Sequence, residues 1–412
     1  MSKHDWNRSR LPLLVHLRIW CRSSPQQRTT DIDERMPRTR YLYWIACYGV
    51  AMSSTAQKTD QQSTLIDCDV HQAWVSEEEV VAYLPEEFQD RGLTAPSGQG
   101  WANPVTEHGI ARNDAVPEEG PGGSSHELLE EQLFDDFGVD YAVLTGPITN
   151  YDLAVHPNVH YAKAAMEAYN DWQVAEWLEQ DERFLGSIMV APHAPDHARK
   201  EIERLGAHDQ IVQVLLPGAH ESPYGHQKYW PIYEAAHEAG LTIGLHSSTA
   251  SKGVAQQPST GAGVPLSYFE MHAATRAVQM GQLISIVSEG VFVEYPDLDW
   301  VFLEQCLGWI PHVLWTMDQN WKGLKDAVPW LERRPSEYIR DNVWFSTQPS
   351  IDPDDPEHLP QFFDMIHADE TLVFSSDYPH WDNDNPKAIL RGIDDETNRA
   401  ILSENAKSVY RL

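Results

Sequence analysis

The chain has 412 residues, 42% of them apolar, enough for one large domain with a sizeable core or for two ordinary ones. Acidic residues outnumber basic ones 62 to 30, a formal net charge of −32, which argues against nucleic acid and anionic membrane surfaces as partners, since both are bound through Lys and Arg. No apolar run reaches the roughly 20 residues that a bilayer span needs.

Such a charge keeps a protein dissolved but makes it self-repel, and the basic residues divide into 10 Lys and 20 Arg. Few ammonium groups in an acidic chain predict a halophilic protein, whose repulsion is screened by counterions in a salty cytoplasm. The four cysteines, Cys21, Cys47, Cys68 and Cys306, fit neither a zinc ribbon nor a CxxC pair. Cys68 and Cys306 lie in apolar, strand-like runs and are expected to be small buried residues.

Residues 1–50 differ in character from the remainder of the chain. They carry nine basic and four acidic residues, a net of +5, so the remainder stands at −37. A basic stretch followed by an apolar one, RMPRTRYLYWIACYGVAM (35–52), resembles a secretory signal but starts deep in the chain. The expected explanation is a start codon placed too far upstream, with Met52 as the true start. A disordered extension and a cleaved signal are the alternatives. Residues 1–60 are therefore set apart from a single domain over 61–412.

From residue 64 short apolar runs alternate with polar helical stretches. Strands are expected at 65–71, 139–146, 184–193, 211–218, 241–248, 298–305, 343–350 and 371–380, each rich in β-branched and apolar residues. Helices are expected at 160–180, 197–207, 229–240 and 266–292, with Gly240 as a stop, and a last one in the tail. Eight strand–helix repeats predict an α/β fold, a (β/α)₈ TIM barrel. A doubly wound sheet is the competitor, but no Gly-rich phosphate loop follows the first strand. Residues 72–126, rich in Pro, Gly, Glu and Asn, interrupt the first β–α step and read as a cap insertion over the site.

Barrel catalysis sits at the C-terminal ends of strands. The first strand ends Asp67-Cys-Asp69-Val-His71, and residues two apart share a face, so all three point into the mouth. His246 ends the fifth strand, Glu304 lies on the sixth, Ser346 and Gln348 end the seventh, and Asp377 lies on the eighth. Carboxylates and imidazoles converging from four strands call for a cation. This donor mixture suits Zn²⁺ first, with Mn²⁺ or Fe²⁺ as alternatives.

The segments IDCDVH, IGLHSS, GVFVEYPDLDWVFLEQCLGWIPHVLW and SSDYPHWD carry a further signal. With them the sequence resembles the amidohydrolase-related family of metal-dependent hydrolases and decarboxylases similar to aminocarboxymuconate-semialdehyde decarboxylase, over about residues 64–412. The resemblance implies a barrel with one divalent metal on Asp69, His71, His246 and Asp377, acting on a small molecule, and a homodimer. Two departures stand out. Glu304 occupies the place where the decarboxylases have an acid–base His, and Asp69 rather than His opens the first-strand pair. The fourth strand also lacks the Lys of dinuclear amidohydrolases, so a second metal would have to use His193, Glu270, His272 or Glu304. Relatives with a Glu on the sixth strand include proteins similar to dinuclear-metal oxygenases, which keeps an oxygenase as the alternative.

The expected chemistry is hydrolysis of an ester, lactone or amide, or decarboxylation. Asp377 and Glu304 are the candidate proton carriers. Trp74, Trp309 and His380 are the candidate substrate walls. Substrate identity would reside in the rim loops 72–126 and 249–266.

Overall fold

The computed structural model describes residues 64–95, 108–247, 263, 265–274 and 276–412. The segment 1–60, with Met52, Cys21 and Cys47, lies outside them, as does most of the rim loop 249–266.

Eight strands form one parallel sheet in chain order: β1 (Ile66–Val70), β2 (Tyr141–Leu144), β3 (Phe184–Met189), β4 (Ile211–Pro217), β5 (Thr242–His246), β6 (Trp300–Leu303), β7 (Val343–Ser346) and β8 (Leu372–Val373). Three bonds close the ring: Cys68 N–H donates to Phe374 O (2.9 Å), His71 N–H to Tyr378 O (2.7 Å) and Asp377 N–H to Asp69 O (3.1 Å). The architecture is a (β/α)₈ TIM barrel.

Strands buried on both faces explain the near-continuous apolar runs; every residue of β4 and of β6 is buried. The interior is packed at the level of Gln213, which donates to Ser187 Oγ (2.8 Å) and accepts from Tyr410 OH (3.3 Å) of the final helix. Gly244 lies beside it, and a Cβ there would stand 2.6 Å from Gln213 Oε1, so only glycine fits.

The outer helices follow their sequence signals. Asn158 Oδ1 caps helix Val159–Gln173 by accepting from the N–H groups of His160 and Tyr161. Helix Trp230–Ala239 ends at Gly240, whose φ is +71°. Of the helix expected over 266–292, the described residues are helical over Tyr268–Ala274, Arg276–Ser288 and Val291–Glu294, with left-handed Gly290 (φ +79°) between the last two.

Most strands stop short of their apolar runs. β6 ends at Leu303 because Glu304 (φ +54°) turns left-handed, and Cys306 (φ +53°) lies in the turn, half-buried, rather than in a strand. β8 pairs only over Leu372–Val373, and Asp377 is left-handed too (φ +62°). The run expected as the third strand to 193 ends at Met189. Within 72–126 the described residues form short helical turns. Their last part is bonded to the loop after β8, through Arg112 N–H to Pro379 O (2.9 Å) and Trp381 N–H to Ile110 O (2.7 Å).

Candidate metal centre at the barrel mouth

The two-residue period of β1 turns Asp67, Asp69 and His71 inward. Asp67 Oδ1 accepts from the N–H groups of Ser376 (2.9 Å) and Asp69 (3.2 Å), tying β1 to the loop after β8. Burial raises this carboxyl to about 7. Asp69 Oδ1 accepts from Thr145 Oγ1 (2.7 Å) at the end of β2.

Both imidazoles are oriented from behind. His71 Nδ1 donates to Gly146 O (2.6 Å) and His246 Nδ1 to Ser247 O (2.5 Å). With those protons on Nδ1, both Nε2 lone pairs face the mouth, 3.2 Å apart. Tyr151 stacks on His246 at 4.5 Å and fixes its plane. Asp377 Oδ1 accepts from His380 Nδ1 (2.7 Å) and stands 3.0 Å from His71 Nε2.

Ligand atoms of Asp69, His71, His246 and Asp377 all lie within 4.8 Å of one another, and all four residues are buried. Among the described residues this is the one such grouping. Asp69 Oδ2 and Asp377 Oδ2 have no hydrogen-bond partner there. Facing lone pairs and unpartnered carboxylate oxygens away from water repel unless a cation joins them. The site therefore fits a divalent metal ion. The local field says the same. Burial pulls His71 down, yet Asp69 and Asp377 outweigh it and raise the ring to about 9. Burial would raise Asp377, but His380 and His71 hold its carboxyl well below the usual range.

Glu304 stands at the edge of the quartet, its Oε2 3.9 Å from His246 Nε2. Its N–H donates to Ser346 Oγ (2.9 Å), which supports the left-handed turn. Burial raises this carboxyl, opposed by the Arg276 guanidinium 3.3 Å from Oε1.

The other residues singled out in the sequence are spread around the rim. Trp74 and His380 line a cavity of about 400 Å³ with Ile110, Val116, Ile148 and Pro379, and His71 opens onto it. Trp74 also packs edge-on against Trp172 (5.8 Å). Trp309, expected as a wall of the site, packs instead on Phe302 and Phe345 and donates its indole N–H to Gln305 O (3.0 Å); it does not line that cavity. Of the residues named for a second metal, only Glu304 adjoins the quartet. His193 stacks on His220 (5.6 Å), Glu270 is exposed, and His272 pairs with Asp382 (3.1 Å).

Two contributors are not singled out by the sequence. Thr145 ends a strand just as the ligands do, so the strand-end rule contains its signal. Arg276 lies on a helix, where nothing in the apolar pattern marks it.

A parallel barrel whose C-terminal mouth gathers this buried quartet is the frame of a metal-dependent barrel enzyme. The chain belongs to the amidohydrolase family, whose sequence model matches residues 66–412. It is thus an enzyme of that superfamily, a hydrolase or carbon–carbon lyase. No curated protein matches it.

Solved structures share the fold. An amidohydrolase from Mycobacterium avium subsp. paratuberculosis K-10 aligns with a TM-score of 0.64 at 19% identity, over 85% of this chain and 100% of that one. A 5-carboxyvanillate decarboxylase from Sphingomonas paucimobilis gives 0.60 at 18%, over 85% and 100%. A dihydroxybenzoic acid decarboxylase from Polaromonas sp. JS666, with bound manganese and the inhibitor 2-nitroresorcinol, gives 0.59 at 17%, over 85% and 98%.

Proposed function

We propose that the chain is a metal-dependent hydrolase or non-oxidative decarboxylase of a small carboxylate, lactone or amide, with Asp69, His71, His246 and Asp377 as the ligands. The observation that carries this is the buried quartet, with its unpartnered oxygens, opening through His71 onto a cavity of about 400 Å³. Zinc is the first assignment for two imidazoles and two carboxylates, and manganese the next, supported by the manganese in the Polaromonas structure. When bound, such an ion supplies Lewis acidity and brings the pKa of a bound water towards about 7.

The chain's own residues do the rest. Glu304, whose carboxyl burial raises, stands beside His246 to deliver a proton, in decarboxylation to the carbon that has lost CO₂ and in hydrolysis to the leaving oxygen or nitrogen. Asp377, held ionised by its histidines, remains a ligand. His380 fixes its orientation through the 2.7 Å bond. Trp74 and Ile148 supply an apolar wall that keeps water from the substrate.

Metal analysis by mass spectrometry tests the reading. One equivalent of zinc or manganese in the parent, and none in His246→Ala, is expected. Metal content unchanged in the variant, or two equivalents including iron in the parent, overturns it. Products from aromatic carboxylates and lactones then separate release of CO₂ from hydrolysis. The charge of −32 supports a halophilic protein. Its melting temperature should rise from about 0.1 to about 2 M KCl, and no rise argues against the halophile.

A further inference from the structure

The mouth between β5 and β6 holds a cation that the proposed chemistry leaves half used. Arg276 lies on helix Arg276–Ser288 and is 8% exposed. Its Nη1 donates to Glu304 O (2.8 Å), Ser247 Oγ (3.1 Å) and Glu304 Oε1 (3.3 Å). Its Nη2 is buried and has no partner among the described residues. Guanidinium carries five N–H donors in a planar fork, and a fork engaged on one prong only is open to a two-oxygen acceptor.

One turn along the same face stands Gln279, fully buried, with neither Oε1 nor Nε2 partnered among the described residues. Gln282, the next residue of the stripe, is satisfied. It accepts from Tyr224 N–H (2.8 Å) and donates to Gly218 O (3.3 Å). The stripe is thus complete at its far turn and open at the turn nearest the quartet. Buried polar groups left open in this way point to a ligand, because folding alone gives them nothing in exchange for lost water. Glu304 bridges the two places, with Oε1 on Arg276 and Oε2 3.9 Å from His246 Nε2.

We propose that Arg276, helped by Gln279, is a subsite for a carboxylate of the substrate remote from the reacting group. The substrate is then a small molecule with two acidic or carbonyl poles, such as a dicarboxylate or a carboxylate-bearing lactone or amide. One pole reacts at the quartet while the other sits on the guanidinium. This rests on the proposed function for the first pole; the second stands on Arg276 and Gln279 alone.

Calorimetric titration of metal-loaded protein with dicarboxylates from malonate to adipate, and with their monomethyl esters, tests it, metal content being measured in the same samples. In the parent, one chain length should bind about 10- to 100-fold tighter than its ester. Arg276→Met should reduce that preference to within about twofold at unchanged metal content, with Arg276→Lys and Gln279→Leu between the two. A preference retained by Arg276→Met, or no preference in the parent, overturns the subsite. Should Arg276→Met fail to fold, the Lys and Gln279→Leu variants decide, and full preference in both overturns it. A parent without metal sinks the quartet reading alone. The monoesters then report on Arg276 by themselves, and equal affinity in parent and variant removes the subsite.

Discussion

The two halves of the barrel mouth are built differently. Towards β8, β1 and β2 the wall of the cavity is largely apolar, made by Trp74, Ile110, Val116, Ile148 and Pro379. Asp67 accepts from Ser376 and Asp69, and Asp384 accepts from the N–H and Oγ of Ser350 (2.8 and 2.9 Å). Towards β3–β6 the groups are polar, buried and incompletely partnered: His193, His220 Nε2, Arg276 Nη2 and both amide atoms of Gln279. The metal quartet lies between. A wall of apolar side chains can shape a ligand and exclude water, but it has little to offer a charge. A wall with donors to spare can hold one. Substrate orientation then follows from the asymmetry, with the apolar part on Trp74 and the charged part on Arg276.

The largest effect should come from Glu304, which joins the quartet to the polar half. Glu304→Gln keeps the shape and the bond to Arg276 but cannot exchange a proton. We expect kcat to fall by about 10²- to 10⁴-fold with metal content unchanged. A variant that keeps its kcat would make Glu304 a mere spacer between Arg276 and His246.

Asp384 tests how a buried acid behind the apolar half is held. Burial raises its carboxyl from 3.8 to about 7. The folded state therefore holds this proton more tightly than the unfolded chain does. The stability it contributes is full below about pH 4 and lost as pH rises through about 7, up to about 4 kcal/mol in all. Asp384→Asn retains an acceptor and a donor for Ser350 and should be more stable than the parent at pH 8 but not at pH 4. Urea unfolding at both pH values decides, and a difference independent of pH would show that Asp384 is ionised in the fold throughout.

A smaller change is expected at His380. It donates to Asp377 and lies 4.3 Å from the His71 ring. His380→Phe keeps the ring but frees the carboxylate to turn, so metal affinity should drop about 10- to 100-fold. Competition with a chelator measures this. Unchanged affinity would leave His380 with a role in the cavity alone.

Much of the barrel and its quartet is legible in the sequence because the causes are local. The two-residue period of a strand fixes that Asp67, Asp69 and His71 share a face, and alternation of strand and helix fixes the barrel. The strand ends are not legible in this way. The expected strands continue beyond Leu303 and Val373, yet pairing stops short as Glu304 and Asp377 lead the chain into turns, and those turns aim the functional side chains. Arg276 and Gln279 are hidden for another reason. Each is one polar residue on a helix, and only the bonds of Arg276 to Ser247 and Glu304 show that this turn of the helix meets the mouth. Trp309 is the converse, an aromatic residue near the right motif whose direction is set by Phe302 and Phe345.

The least effect should come from the apolar wall. Trp74 is 8% exposed, packs on Trp172 and faces the cavity, so Trp74→Phe keeps an aromatic surface but removes the outer ring. Edge-to-face aromatic contacts contribute about 0.5–1.5 kcal/mol beyond burial, so KM for an aromatic substrate should rise by roughly 3- to 10-fold at nearly constant kcat. For a purely aliphatic substrate the change should be smaller, because no ring then meets the indole. The ratio of the two shifts is the decisive quantity. Equal shifts would mean that Trp74 only supports the fold, and the division of the mouth into an apolar wall and a charged one would then have to rest on Arg276 alone.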